Sequence, residues 1–412
     1  MIISPELKEQ VYHCIRCGLC LNSCPVYRQL CFEGASPRGK IQLIKKVLEG
    51  QLEASDHFGR LLGTCLLCET CSVTCPSGVK LDRIMKSMRA ELIKTFGVSW
   101  EKRAVFHLLS SSHLLPFMMF WGRTLENPLR LLLPQRGRAG TIPYAKIPRL
   151  NAKPLIHQFP EVVTAAGQPK GRVLYFVGCA TNYLFENVGR SLIRLLNRLE
   201  VEVIIPQEQM CCGFPICLAG ARTTALKNIR HNLDLFDPQK VDAVIVDCAT
   251  CGAALKREYP QLLEEMGEEK AAAAARRLAQ KVLDISQYLA RFELAQHLKP
   301  LTGKVTYHDP CHLLRTQGIK EEPRNVLRSI PELELIEMEG AEVCCGGGGV
   351  FQLDHPELAS AITAKKIQTI RDTQADMVAT GCPGCRLQIH GNLEDDPVEV
   401  FHPVELLAKA FS

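Results

Sequence analysis

Cysteine spacing constrains this chain more than any other feature. The motif C-x2-C-x2-C-x3-C-P occurs twice, as Cys14, Cys17, Cys20 and Cys24 before Pro25, and as Cys65, Cys68, Cys71 and Cys75 before Pro76. Thiolates are the soft ligands that iron–sulfur clusters take, and two-residue spacers let three of them reach three corners of a cube from one tight loop. In two-cluster proteins of this spacing the fourth cysteine serves the other cluster. The expected ligand sets are therefore Cys14, Cys17, Cys20 with Cys75, and Cys65, Cys68, Cys71 with Cys24, each holding a [4Fe–4S] cluster. Zinc ribbons use two C-x2-C pairs and do not repeat a triplet with a distant Cys-Pro. Cys31 lies outside the motif and is expected to be a small buried hydrophobe.

The whole chain has 20 cysteines in 412 residues. Disulfide-rich secreted domains are short and follow a signal peptide, and the start MIISPELKEQVYHC has neither a basic nor an apolar leader segment. The thiols are thus expected in a reducing compartment, free for metal. A net charge of +5 is too weak and too spread to argue for nucleic acid. No apolar run reaches the roughly 18–20 residues of a spanning helix. The nearest, Val105 to Trp121, carries His107, His113 and Pro116. It is expected to be a packing helix pair joining two domains, with an interfacial membrane segment as the alternative; the localisation expected is cytoplasmic, or peripheral on the cytoplasmic face of a membrane.

Four regions follow: 1–95 with two cluster motifs, a helical and Pro-rich linker over 96–168 without cysteine, and two halves, 169–300 and 301–412, that repeat one another. GRVLYFVGC (Gly171 to Cys179) matches GKVTYHDPC (Gly303 to Cys311), QMCCGFP (Gln209 to Pro215) matches EVCCGGG (Glu342 to Gly348), and VDAVIVDCATC (Val241 to Cys251) matches ADMVATGCPGC (Ala375 to Cys385). In each half β-branched runs (Val173 to Val177, Val201 to Ile205, Val241 to Val246; Val305 to Tyr307, Leu333 to Ile336, Met377 to Ala379) alternate with helical segments. That alternation predicts a Rossmann-like α/β arrangement with a parallel sheet, whose functional groups gather beyond the carboxyl ends of the strands. The predicted fold class is α+β multidomain: a small helical ferredoxin-like domain followed by a duplicated α/β pair.

The cysteines fall at those strand ends. The first set is Cys179, Cys211, Cys212, Cys248 and Cys251; the second is Cys311, Cys344, Cys345, Cys382 and Cys385. Five thiolates per site exceed what zinc uses and allow one to bridge two irons. A redox-active C-x2-C dithiol and a zinc site with a spare cysteine remain open readings. Cys217 is expected to be structural. Gly346 to Gly349 lack dinucleotide-loop spacing and are expected to let backbone approach a cluster. His308 and His312 flank Cys311 and are expected to support the site from outside its ligands. Glu265 to Ala279 reads as a solvated helix. No dinucleotide fingerprint, Walker motif, nucleophile elbow or H-E-x2-H is present, so no substrate site of the chain's own is expected and electrons must come from a partner.

This layout resembles the CCG-domain iron–sulfur oxidoreductases, and among them the glycolate oxidase iron–sulfur subunits. The likeness spans nearly the whole chain and includes SPRGKIQLIKKVLEG (Ser36 to Gly50) and TCPSGVK (Thr74 to Lys80). It implies a subunit of an oxidoreductase complex: a separate FAD subunit oxidises glycolate or D-lactate, and this chain passes the electrons to a quinone or another membrane acceptor. One departure stands out. Both five-cysteine motifs are complete, as in heterodisulfide reductases, where such motifs hold non-cubane [4Fe–4S] clusters. A disulfide-reductase role, or that of the CCG-domain subunit of an anaerobic glycerol-3-phosphate dehydrogenase, is the alternative implied.

Overall fold

The structure, a computed structural model, describes residues 3–132, 137–393 and 396–411. Its N-terminal part is helical, with no strand among the described residues up to 95. Ser36 starts α1 (Pro37–Leu48) by accepting from the Gly39 amide at 2.9 Å, with Pro37 in the first turn where its missing N–H is harmless. Ile41 and Ile44 of α1 pack with Leu7, Val11, Phe58 and Leu62, and with Ile84, Met85 and Met88 of α2 (Leu81–Phe96). Between the helices of this small core run the two cysteine loops.

The first half forms a five-stranded sheet from β1 (Val162–Val163), β2 (Gly171–Phe176), β3 (Val201–Ile204), β4 (Ala243–Val246) and β5 (Val282–Asp284), in the order β1-β3-β2-β4-β5. The second half forms a four-stranded sheet from β6 (Gly303–Tyr307), β7 (Leu333–Ile336), β8 (Met377–Ala379) and β9 (Glu399–Phe401), in the order β9-β8-β6-β7. Leaving out β1, the two orders are the same, so the repeated sequence folds twice into one topology. The second sheet is wholly parallel. The first is not: β1 runs antiparallel to β3, pairing Val163 with Val203. The four strands of the half itself are parallel, as expected; the antiparallel one is supplied by 96–168, which adds this short strand to its helices. Residues 162–163 of that stretch cover the free edge of β3, which would otherwise offer unpaired amides to other chains.

Alternation along the strands divides the core. Val173 and Tyr175 of β2 face a shared core with Val305 and Tyr307 of β6, so the two halves bury one surface together. Leu174 and Phe176 point the other way, against Phe214, Ile229, Leu263 and Ala272. Ala272 belongs to the helix Glu269–Lys281, which buries Ala272, Ala275 and Leu278. The alanine run is therefore packing surface, not the solvated face expected; small side chains let this helix lie close to the sheet.

Candidate metal centres

The two N-terminal loops fold alike. Arg16 and Gly18 of the first motif, and Leu67 and Glu69 of the second, hold left-handed backbone conformations at matching positions, with φ of +58, +89, +53 and +63. Alternating hands of this kind turn successive backbone N–H groups toward one point and make a concavity for an anionic group. Left-handed φ is unfavourable for Leu and Glu, and Glu69 is held there by Arg257 and by the Thr316 hydroxyl, which donates at 3.0 Å. Cys24 lines one small cavity with Cys65, Cys68 and Cys71. Burial pushes its thiol up to about 11, followed by the nearby Cys68 and Cys65. Cys20 has Cys14 and Cys17 as its electrostatic neighbours. Ser23 and Thr74, each just ahead of the last cysteine of its motif, bring their hydroxyls to 3.5 Å. Cys31 is exposed at a left-handed turn, φ +52, which overturns its expected burial.

In the C-terminal halves the cysteines sit beyond the strand ends, and the loops of the two halves interleave. The Ala249 amide donates to Gly381 O at 3.0 Å, Gln317 Nε2 donates to Ala249 O at 2.9 Å, and Thr250 Oγ1 lies 3.6 Å from Cys382 Sγ. A single cavity of about 250 Å³ is lined by Cys179, Cys212, Cys248 and Cys251 on one side and by Cys311, Cys344, Cys345, Cys382 and Cys385 on the other. Cys211 does not line it; its thiol neighbours Cys179 and Cys212. Within each set the thiols touch in sequence. Cys211 and Cys251 donate to Cys212 and hold it down to about 5. Cys344 and Cys385 likewise lower Cys345. Cys382 is lowered by Cys248, a residue of the other half, and by Cys385. All twenty cysteines are free thiols. Buried thiols crowded around low-pKa sulfurs form a donor set that metal would deprotonate on binding, so the residues fit iron–sulfur ligation.

His308 and His312 are both buried. His308 Nδ1 lies 3.1 Å from Ala341 O, while its Nε2 has no partner. One ring nitrogen of His308 and the sulfurs of Cys345 and Cys385 lie within 4.8 Å of one another. Burial brings its pKa down to about 3, so the ring is neutral. The matching residue of the first half is Phe176, so the two sites differ at this point. Cys217 is buried, and burial raises its thiol to about 12.

Sequence patterning did not single out two buried lysines. Lys40 donates to Ala35 O at 2.7 Å beside Cys24, Cys65 and Cys71; Lys366 donates to Gly340 O at 2.6 Å beside Cys344 and Cys345. Burial lowers both, Lys366 to about 8. Each sets a cation against a group of sulfurs. The sequence signal was a lysine on the apolar stripe of a helix, as Lys366 falls between Ile362 and Ile370.

The glycine after each Cys-Cys pair adopts a left-handed conformation, Gly213 at φ +73 and Gly346 at +90. A Cβ at Gly346 would stand 2.6 Å from Thr363 Oγ1 and 2.9 Å from Ala359 O. Gly346→Ala is expected to cost about 2–4 kcal/mol, from backbone strain plus the clash. Denaturant unfolding of the purified chain checks this, and a cost below about 0.5 kcal/mol would show the turn to be pliable.

Free thiols converging in this way, those of the N-terminal part in paired loops, have the donor set of an iron–sulfur protein. The 4Fe-4S dicluster domain model matches residues 10–79, and the cysteine-rich CCG domain model matches 173–256 and 305–390. The chain is 31% identical to a probable glycolate oxidase iron–sulfur subunit of Bacillus subtilis, over 99% of this chain and 97% of that one. It is 32% identical to a subunit of the fumarate reductase (CoM/CoB) of Methanothermobacter marburgensis, over 97% and 72%. It is 28% identical to a subunit of the dihydromethanophenazine:CoB–CoM heterodisulfide reductase of Methanosarcina barkeri, over 96% and 93%. The chain belongs to the CCG-domain iron–sulfur family, whose members serve as iron–sulfur subunits of oxidoreductase complexes.

Proposed function

We propose that this chain is the electron-transfer subunit of a flavin-dependent 2-hydroxy-acid dehydrogenase of the glycolate oxidase type. The observation that carries the reading is the end-to-end likeness to the Bacillus glycolate oxidase iron–sulfur subunit. A partner FAD subunit would oxidise glycolate or D-lactate, and a quinone or another acceptor would receive the electrons. The working units are 1–95, 169–300 and 301–412, with 96–168 between them. Cys14, Cys17, Cys20 and Cys75 hold one [4Fe–4S] cluster and Cys65, Cys68, Cys71 and Cys24 the other; the clusters supply one-electron transfer. The chain's own residues set the order of sites. Cys68 has Cys311 as an electrostatic neighbour, and Cys344 has Cys68. The second five-cysteine set thus adjoins the N-terminal motifs.

Co-expression with its flavoprotein tests this. Glycolate or D-lactate should bleach the visible iron–sulfur absorption only when that partner is present. A chain that binds no flavoprotein, or is bleached equally without one, would overturn the reading.

A thiol–disulfide reductase is the second reading, favoured by one observation: nine of the ten cysteines of the two five-cysteine sets line a single cavity. It requires each set to hold a cluster. Iron and acid-labile sulfide near roughly sixteen per chain would support it, and near roughly eight would count against it.

A further inference from the structure

The stretch expected to be a packing helix pair turns its apolar side outward. It forms α3 (Trp100–Leu109) and α4 (Leu114–Leu132), bent by 104° at their junction. No single helix among the described residues is long and apolar enough to cross a membrane. On α4, Phe117, Trp121 and Leu125 follow one another at every fourth position, with Met118 and Phe120 beside them, and all five are exposed. Phe120 is 63% exposed, and Trp100 at the start of α3 is 76% exposed. The opposite side of α4 meets the body. Leu115 and Glu126 are buried there, Glu126 Oε2 accepts from the Leu150 amide at 3.3 Å, and a Cβ at Gly122 would lie 3.1 Å from Leu150. The elbow is held from below by Asn228 Nδ2, which donates to Leu109 O at 2.9 Å, and by Lys102 paired with Asp354 at 2.7 Å. The outward apolar face is therefore fixed by the fold rather than by fraying of a loose end.

We propose that the α3–α4 elbow docks this protein on an anionic lipid surface, lying in the plane of the headgroups. The elbow would do so whichever substrate feeds the electrons. Three observations favour lipid as the occupant. The outward face is aromatic and aliphatic, the composition that settles at a bilayer interface. The 104° bend breaks the apolar stretch into two helices, neither of them long and apolar enough to span alone. The sequence of this stretch is basic: besides Lys102 and Arg123, which pair with Asp354 and Glu126, the segment from Trp100 to Arg138 has Arg103, Arg130, Arg136 and Arg138 against Glu101, in a chain whose basic and acidic totals are 49 and 44. Basic residues flanking an apolar face draw it to anionic headgroups.

The chain has two tryptophans, Trp100 and Trp121, and both lie on this elbow. Tryptophan emission is therefore a local reporter. Adding vesicles of phosphatidylcholine and phosphatidylglycerol to the full-length, iron-loaded protein should shift the emission to the blue. Brominated lipid should quench it, and raised salt should weaken binding. The triple variant Phe117→Ser, Phe120→Ser, Trp121→Ser should lose about a hundredfold in partitioning, with Trp100 left as the reporter. Its iron content and visible absorption should match the parent and show that it folds. Three outcomes would overturn the proposal: no partitioning of the parent, equal partitioning of the triple variant, or a parent dimer that the substitutions dissolve while neither protein binds vesicles.

Discussion

Serine in place of Cys24 is expected to remove the iron held by Cys65, Cys68 and Cys71, and to spare the iron of its own motif. The reason is spatial. Cys24 shares a cavity with Cys65, Cys68 and Cys71, while Cys14, Cys17 and Cys20 form a separate neighbourhood. The loss should be about four irons per chain, with the electron paramagnetic resonance of one reduced [4Fe–4S] cluster missing. Cys75→Ser should give the same loss of iron with the other signal missing. A second consequence separates the two variants. The set that Cys24 completes contains Cys68, the residue next to Cys311 and Cys344. Cys24→Ser should therefore also leave the C-terminal sites unreduced when electrons enter through the N-terminal motifs, although dithionite still reduces them. If Cys24→Ser instead strips the cluster of Cys14, Cys17 and Cys20, the crosswise assignment is wrong.

Much of this was legible in the cysteine spacing, because ligand geometry leaves little freedom between residues that must reach one cluster. The repeat was equally legible: Leu333–Ile336 and Met377–Ala379 are strands with the bounds the sequence predicts, and the two sheets share one order. Short elements escaped. Val282–Asp284 and Glu399–Phe401 have three residues each, too few for a period of two to declare itself, and lie outside the repeated cysteine segments that marked the equally short Met377–Ala379. Val162–Val163 exists only because β3 leaves an edge to cover. The outward side of the α3–α4 elbow was not legible for a related reason. Periodicity shows that a helix has an apolar face but not whether that face meets protein or points outward. Gly122 and Glu126 against Leu150 decide that, through contacts remote from the apolar run itself. His308 was expected to support the site from outside its ligands, and the approach of one of its ring nitrogens to the sulfurs of Cys345 and Cys385 is a tertiary fact.

The attachment of the cluster domain to the first half is likewise tertiary, and it has a large expected effect on stability. Lys86 of α2 lies 2.6 Å from Glu258 and 3.7 Å from Asp82, and Arg257 lies 3.1 Å from Glu258 and 3.7 Å from Asp82 while also reaching Glu69. Lys86, Asp82, Glu258 and Glu69 are all buried. Such a network adds little over an apolar contact of the same shape, because burying the charges offsets their attraction. Removing one member is different, since it strands the others. Lys86→Met should destabilise the chain by about 3–5 kcal/mol, read from the denaturant midpoint, because Asp82, Glu258 and Glu69 then share only Arg257. The double variant Lys86→Met, Glu258→Leu should recover a good part of that loss. Acid should mimic the single variant. Although burial opposes ionisation, Lys86 and Arg257 hold Asp82 and Glu258 below the ordinary carboxylate range. Their contribution is therefore present above the unfolded pKa and is lost as pH falls through the lowered folded values. The acid limb of the stability profile should accordingly flatten in the double variant, which has one of those carboxylates fewer. A Lys86→Met cost below about 1 kcal/mol, or a double variant weaker than the single one, would show that the domains are held together by apolar packing and by the hydrogen bonds of Arg89 to Leu218 O and Cys65 O instead.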